Sequence, residues 1–462
     1  MIRIFKHYVR KSLFLLGVIE VLILLAAIIA GLTLRFTQLD LTPIDYADHW
    51  PEFVTFVTSV YVAMLAVGLY QPEVLRDTRM TLVRLTVAMG LGLVLTSVVS
   101  YVVRDVGIWR SIFLYALGFA FVGLLISRGV FFRLADREGF KRRVVLLGAG
   151  ERAKRIAEME KSVQGANFVC AGVIRLSEAE TAIPHAPYIA EISSLLEYVR
   201  QAGAEEIVVA NEERRGTLPI HDLLVCKMQG VRVSDATTFI EQETGVVDLE
   251  SVSPSWMIFS DGFVRSGRLD LALKRTFDII VSVLLLALSL PILAPVALAI
   301  KFTSPGPIFY RQERVGQGGR TFQVMKFRSM RADAERAGPQ WAQKNDDRVT
   351  SIGRIIRLTR IDEIPQIFNV LKGDMSFVGP RPERPVFVAE LTRQIPYYEE
   401  RHQVKPGITG WAQINYPYGA STEDARRKLQ YDLYYIKNYS IFLDLLVLIQ
   451  TLRVILWPEG AR

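Results

Sequence analysis

Four apolar stretches, at residues 13–34, 53–70, 82–103 and 112–132, decide what the first third of this chain can fold into. Each is close to the roughly 20 residues a helix needs to cross a hydrocarbon core. Backbone polar groups find no water there, so such segments span as helices whose hydrogen bonds are internal. The first stretch is too long for the apolar part of a cleavable leader, and further spans follow it. Lysine and arginine bias sets the orientation. Arg3, Lys6, Arg10 and Lys11 precede the first span, and Arg76 and Arg79 stand in the second loop. Arg133, Arg137, Lys141, Arg142 and Arg143 follow the fourth, while the first loop is acidic, with Asp40, Asp45, Asp48 and Glu52. A four-span bundle over residues 1–135 is expected, with both ends in the cytoplasm.

The chain has 462 residues, enough for two or three domains, and half of them are apolar. Its net charge of +8 suits an anionic membrane surface and phosphate ligands. With this many spans, nucleic acid is not expected as a partner. The two cysteines, Cys170 and Cys226, give neither a disulfide framework nor a metal spacing.

From residue 136 the pattern changes to alternating strands and helices. Strands are expected at 143–147, 168–174, 206–210 and 231–234, and helices from the 151 region to about 163, at 193–202 and at 220–228. That alternation argues a parallel, Rossmann-like α/β domain over residues 136–245. Gly148-Ala149-Gly150-Glu151-Arg152-Ala153 could seat a pyrophosphate at a helix N-terminus. Ala153 stands where the fingerprint has its third glycine, and Arg175, not an acid, follows the next strand. A tight strand-to-helix turn without cofactor is the alternative. Residues 246–267 read as a linker.

A second kind of apolar stretch covers 273–302, with Pro291 and Pro295 in its middle. Proline removes a backbone donor and crowds the preceding turn, so the helix should break or bend there. Lys274, Arg275 and Lys301 place cations at both ends, which gives no reason to put those ends on opposite sides. A helix that enters and leaves on the cytoplasmic face is expected. Residues 308–315 and 321–327 follow as two strands joined by Gly316-Gln317-Gly318-Gly319, with Lys326 and Arg328 on one face.

The densest chemistry lies between Arg354 and Pro382. Asp362 and Glu363 are adjacent, Arg354, Arg357, Arg360 and Arg381 surround them, and Pro380-Arg381-Pro382 makes a rigid corner. A short helix from 363 to 371 would place Asp362 at its N-cap. Adjacent carboxylates diverge, however, and one cap does not need four arginines. Guanidinium forks match phosphate oxygens two at a time. A carboxylate among them is expected to keep a low pKa, as an ionised nucleophile would. Downstream, Arg401 and His402 lead into Lys405-Pro406-Gly407-Ile408-Thr409-Gly410-Trp411. His402 reads better as a structural histidine than as a general base. Residues 441–457 are apolar but hold Asp444, Gln450 and Arg453, which suits a helix lying on the membrane.

Lys274-Arg275-Thr276-Phe277-Asp278, the Pro291 break, Lys326-Phe327-Arg328-Ser329-Met330, Asp362-Glu363-Ile364-Pro365-Gln366, the run from Gly373 to Pro382 and the Lys405–Trp411 loop stand in a telling order. It resembles that of the bacterial sugar transferases, the monotopic polyprenyl-phosphate phosphoglycosyl transferases. The resemblance covers about residues 268–457, and the layout is similar to the large four-span members, in particular the exosortase-associated (PEP-CTERM) exopolysaccharide enzymes. It implies a membrane helical bundle, a Rossmann-like domain and, over 268–462, a monotopic α+β catalytic domain with a re-entrant helix at 273–302.

The resemblance further implies transfer of a sugar 1-phosphate from a UDP-sugar to undecaprenyl phosphate, with release of UMP, as the start of exopolysaccharide or capsule synthesis. Asp362 would be the nucleophile, forming an aspartyl-phosphosugar intermediate. Glu363 would assist, and both would bind Mg²⁺. Lys326, Arg328, Arg357, Arg381 and Arg401 are the residues expected to hold phosphate or nucleotide. Pro291, Pro380 and Pro382 are expected to shape the backbone. The family's helix break is often Ser-Pro; in this chain Leu290 precedes Pro291 and Ser289 is one place off, which puts the hydroxyl's bond into the break in doubt. Expected partners are the two substrates and membrane lipid, with a homodimer left open. The implied location is the bacterial inner membrane, with the catalytic domain cytoplasmic. A nucleotide-sugar dehydratase or epimerase would need an intact dinucleotide fingerprint and a Tyr-x-x-x-Lys pair, and residues 141–267 hold neither. A membrane scaffold would not need Asp362-Glu363 beside so many arginines.

Overall fold

The computed structural model describes residues 2–41, 44–103, 106–135, 141–162, 166–212, 218–263, 267–331, 334, 347–417, 419 and 421–457. The chain forms two compact units, Met1–Ile4 with Tyr8–Ser251, and Phe5–His7 with Val252–Arg462. The division falls inside the stretch read as a linker.

Strands β1 (Ile2–Ile4) and β2 (His7–Val9) precede the helices of the first unit, α1 (Lys11–Gln38), α2 (Trp50–Ala66), α3 (Pro72–Arg76), α4 (Thr78–Val102) and α5 (Arg110–Ala135). Helices α1, α4 and α5 are long and apolar enough to cross a membrane; α2, at 17 residues, is shorter. The second expected span, 53–70, thus ends early, at a turn that side chains from other helices hold. The chain leaves the helix at Val67, and Gly68 turns it with φ +71°. The carbonyls released need donors in an apolar setting. Arg84 donates to Val67 O at 3.1 Å, and Arg128 donates to Leu69 O at 2.9 Å. Both arginines are buried, and Arg128 is paired with buried Glu20 at 2.8 Å.

Strands β3 (Arg142–Leu147), β4 (Phe168–Ile174), β5 (Glu206–Val209) and β6 (Arg232–Asp235) form one parallel sheet in the order β4-β3-β5-β6. Helices α6 (Glu151–Ser162), α7 (Leu195–Gln201), α8 (Ile220–Met228) and α9 (Ala236–Thr244) alternate with or follow the strands. Val144 and Leu146 face one apolar cluster, with Ile156 and Phe239, while Val145 and Leu147 face another, with Val199 and Ile207. This is the strand period of two with both faces covered, as a parallel sheet requires.

The second unit contains α10 (Pro254–Phe259), α11 (Arg268–Thr303), the hairpin β7 (Phe309–Val315) and β8 (Thr321–Phe327), and α12 (Ser351–Leu358). After α12 come a 3₁₀ turn (Ile361–Gln366), α13 (Ile367–Lys372), β9 (Ser376–Val378), α14 (Pro385–Gln394), β10 (Gly407–Thr409), α15 (Trp411–Asn415), α16 (Thr422–Lys437) and α17 (Ile441–Leu456).

Helix α11 runs for 36 residues and stays helical on both sides of Pro291 and Pro295, so the chain does not leave the helix at the two prolines, although neither donates to the ladder. The Ser289 hydroxyl donates to Leu286 O at 3.2 Å, back into its own helix. Both ends of α11 are held by the second unit. Near its start, Arg275 donates to the carbonyls of Val370 and Leu371, at 2.5 Å each, and Lys274 reaches Asp444 at 2.7 Å. Near its end, Ile300 is buried with Phe327 and Ile356. Helix α17 turns Asp444 and Arg453 inward and leaves Leu445, Leu452, Ile455 and Leu456 exposed. Its two charged residues therefore face protein, and its exposed leucines and isoleucine make an apolar outer face.

Candidate functional site

The site is built where α12 gives way to the 3₁₀ turn. Arg360 adopts a left-handed backbone, φ +59°, and Glu363 N donates to Arg360 O at 3.2 Å. The turn therefore starts at Ile361, two residues earlier than expected. Asp362 lies inside it, 9% exposed, and caps nothing. Asp362 Oδ1 has no hydrogen-bond partner among the described residues. Gly373, φ +96°, closes α13 as the sequence predicts.

Glu363 faces the cations. Its Oε1 accepts from Lys326 Nζ at 2.8 Å and from Arg381 Nη2 at 2.7 Å. Lys326 is set by strand β8. Asn369, two turns beyond Asp362, locks that strand from the side: its Nδ2 donates to Gln323 O at 2.7 Å and its Oδ1 accepts Met325 N at 3.0 Å. Across the hairpin Lys326 stands opposite Tyr310. From there a ladder runs along one face of β7. Gln312 Nε2 donates to Tyr310 OH at 3.0 Å, Arg314 Nη2 to Gln312 Oε1 at 2.6 Å, and Arg314 Nη1 to Pro382 O at 3.1 Å. The ladder thus joins the hairpin to the corner that carries Arg381.

The Pro380-Arg381-Pro382 corner is braced by β10, which pairs with β9 in parallel. Gly407 N donates to Pro380 O and Gly379 N to Thr409 O, each at 2.9 Å. A Cβ on Gly407 would lie 2.1 Å from Gly379 N, so only glycine permits this approach. Beneath β9, buried Asp278 Oδ1 accepts from Ser376 Oγ at 2.9 Å and Phe377 N at 3.1 Å.

Two expected phosphate ligands are not brought to the site. Arg401 is buried; its Nη2 donates to Asp432 Oδ2 and to Arg381 O, both at 2.9 Å, and its Nη1 to Tyr398 OH at 2.9 Å. It holds the corner from behind. Arg328 Nη2 donates to Ser304 O and Ser304 Oγ at 2.7 Å, capping the end of α11. The strand alternation that suggested a shared face ends at Phe327, one residue before Arg328. Arg357 is half-buried on α12 and acts on Asp362 through its charge, as does exposed Arg360. His402 stands edge-on to Tyr398, and burial pushes it down to about 4, so it is neutral at physiological pH.

The electrostatics separate the two carboxylates. Burial alone would raise Glu363, but Arg381 and Lys326 hold it well below the ordinary carboxylate value. Asp362 goes the other way: burial, then the Glu363 charge, raise it, and Lys326, Arg357 and Arg360 do not offset them. The expectation of a low Asp362 pKa is therefore corrected. Glu363 takes the direct cation contacts and Asp362 is left with fields only. Such opposed pairs are how folds assign different duties to neighbouring acids.

Among the described residues no group of three or more His, Cys, Asp or Glu is placed to hold a metal ion. The orphaned Asp362 oxygen nonetheless suits Mg²⁺, which binds through one or two carboxylates plus substrate phosphates. Glu363 Oε1 already serves two cations, so Asp362 is the better placed of the two expected ligands.

The family model described as bacterial sugar transferase matches residues 269–458. A model described as CoA-binding domain matches residues 65–216. The chain is 50% identical over 190 residues to a UDP-N-acetylgalactosamine-undecaprenyl-phosphate N-acetylgalactosaminephosphotransferase of Aeromonas hydrophila, covering 41% of this chain and 45% of that protein. It is 42% identical over 190 residues to a UDP-glucose:undecaprenyl-phosphate glucose-1-phosphate transferase of Caulobacter vibrioides, covering 41% of this chain and 71% of that protein. It is also 42% identical over 192 residues to the exopolysaccharide production protein PSS of Rhizobium leguminosarum bv. phaseoli, covering 40% of this chain and 94% of that protein. The chain thus spans less than half the length of the Aeromonas relative and nearly all of the Rhizobium one. With Asp362, Glu363 and the corner all inside the matched stretch, the chain belongs to the bacterial sugar transferase family.

Proposed function

We propose that this protein transfers a sugar 1-phosphate from a UDP-sugar to undecaprenyl phosphate, releasing UMP, and so starts assembly of an exopolysaccharide. The observation that carries the reading is the buried Asp362 carboxylate with an oxygen that has no hydrogen-bond partner among the described residues, beside a Glu363 already neutralised by Lys326 and Arg381. An Asp362 oxygen attacks the sugar-bearing phosphorus, the bond from that phosphorus to the oxygen of UMP breaks, and UMP leaves. An oxygen of the lipid phosphate then attacks the same phosphorus and frees the aspartate. Two steps spare the site from bringing both anionic substrates together. Arg381 and Lys326, held at Glu363, would balance charge on the transferring group. Mg²⁺, when bound, would add charge neutralisation on the pyrophosphate.

The location proposed is the cytoplasmic face of the bacterial inner membrane. Helix α11 supports it. Lys274, Arg275 and Ile300 are all held within one compact unit. A straight crossing would put those ends on opposite sides of roughly 30 Å of hydrocarbon. A helix that dips in and returns keeps both on one side.

The test is Asp362→Asn in membranes supplied with UDP-sugar and undecaprenyl phosphate. Turnover should fall to background while the melting temperature holds, and labelled UDP-sugar should leave a covalent adduct on wild-type Asp362. Near-normal UMP release by Asp362→Asn would refute the assignment.

A further inference from the structure

The match to a CoA-binding domain implies a pyrophosphate-bearing coenzyme on the parallel sheet, at the turn between β3 and α6. The residues present do not fit one. Two backbone donors of that turn already hold carboxylates of the chain itself. Ala149 N donates to Glu180 Oε2 at 3.0 Å, and the same oxygen accepts Leu176 N at 2.9 Å. Glu151 N, at the first residue of α6, donates to Glu212 Oε1 at 3.1 Å. The segment after β4 folds over the turn, with Ile183 N donating to Ala149 O at 3.1 Å.

Space is closed as well as donors. A Cβ on Gly150 would lie 3.0 Å from Glu212 Oε1. Gly148, φ +117°, would place one 2.7 Å from Asn211 N, so the ends of β3 and β5 leave no gap at the turn. A pyrophosphate would have to displace two carboxylates, and any that stayed would repel it.

We propose that the turn is self-liganded: Glu180 and Glu212 occupy the positions of a coenzyme's phosphates, and the domain binds no CoA or dinucleotide there. The glycine pattern survives because the tight turn needs it. The two acids complete the turn, one from the segment after β4 and one from the segment after β5.

The experiment is hydrogen exchange on the full-length protein in detergent, following peptides that cover 147–153 and 174–183. With CoA or NAD⁺ at about 1 mM, enough to occupy any site of useful affinity, exchange in both peptides should be unchanged. In Glu180→Ala, the Ala149 and Leu176 amides lose their acceptor and should exchange about fivefold faster or more. Slowed exchange at 147–153 with either coenzyme would overturn the proposal, and so would a folded Glu180→Ala protein with unchanged exchange. The coenzyme arm uses the wild-type chain, so it decides the question even where Glu180→Ala fails to fold.

Discussion

Replacing Arg401 by Met separates a structural arginine from a phosphate ligand. Arg401 is 6% exposed and its partner Asp432 is 3% exposed. Nε and Nη2 both donate to Asp432 Oδ2, at 3.2 and 2.9 Å. Removing one partner of a buried pair strands the other charge and costs about 3–5 kcal/mol. Losing the bond to Arg381 O adds about 1 kcal/mol. The unit holds roughly 210 residues, a size at which each kcal/mol moves the melting temperature by about 2–4 °C. Arg401→Met should therefore melt about 8–24 °C lower. Arg401→Met with Asp432→Leu removes both charges and should recover most of that loss. The assay is thermal unfolding of the full-length protein in detergent, with UMP release measured below the transition. An Arg401→Met protein that melts like the wild type while its KM for UDP-sugar rises about tenfold would refute the reasoning, because that split marks lost ligand binding.

Four further outcomes follow from the structure. The raised Asp362 carboxyl means kcat/KM should be present above its pKa and lost as pH falls through it; Glu363→Gln removes the like charge and should move that acid limb to lower pH even as turnover drops, and a limb that stays put contradicts the coupling. In stability the two acids act oppositely. Glu363 contributes above its ordinary pKa and loses the contribution as pH falls through its depressed one, whereas protonation relieves the cost of burying Asp362. Gly306→Ala should cost about 1–3 kcal/mol by melting, since φ is +126° and the new Cβ would lie 2.2 Å from Arg328 Nη1. A cysteine at Lys301, in a chain lacking Cys170 and Cys226, should resist an impermeant thiol reagent in sealed cells and react after lysis; labelling in sealed cells would mean that α11 crosses.

The sequence revealed what local pattern encodes. Apolar run length marked α1, α4 and α5, and short strand-like runs alternating with helical stretches marked β3 to β6. The Asp362-Glu363 pair was legible because its neighbours crowd one short segment. What a side chain touches was not. Arg401 finds Asp432 31 residues away, and Arg328 finds Ser304 24 residues before it, and no spacing rule links either pair. The early end of α2 depends on Arg84 and Arg128 arriving from other helices. Asn369 and the Tyr310–Gln312–Arg314 ladder were missed for the same reason. Residues 310–314 of β7 are polar without a break, so nothing in the sequence set 310, 312 and 314 apart as one face.

The hairpin has a consequence for how this protein tolerates changes in chain length. Lys326 meets Glu363 only because Tyr310 is its cross-strand neighbour, a pairing set by the register of β7 against β8. That register is measured out from the far end, where Gly318 and Gly319 both take left-handed backbone, φ +66° and +76°. A strand that slips by one residue turns every side chain to the opposite face. One amino acid inserted or deleted at this exposed tip would turn Lys326 away from Glu363 and break the ladder to Pro382 at the same stroke. The tip looks like a spot where evolution could lengthen a loop freely, but it acts as a ruler for the active site.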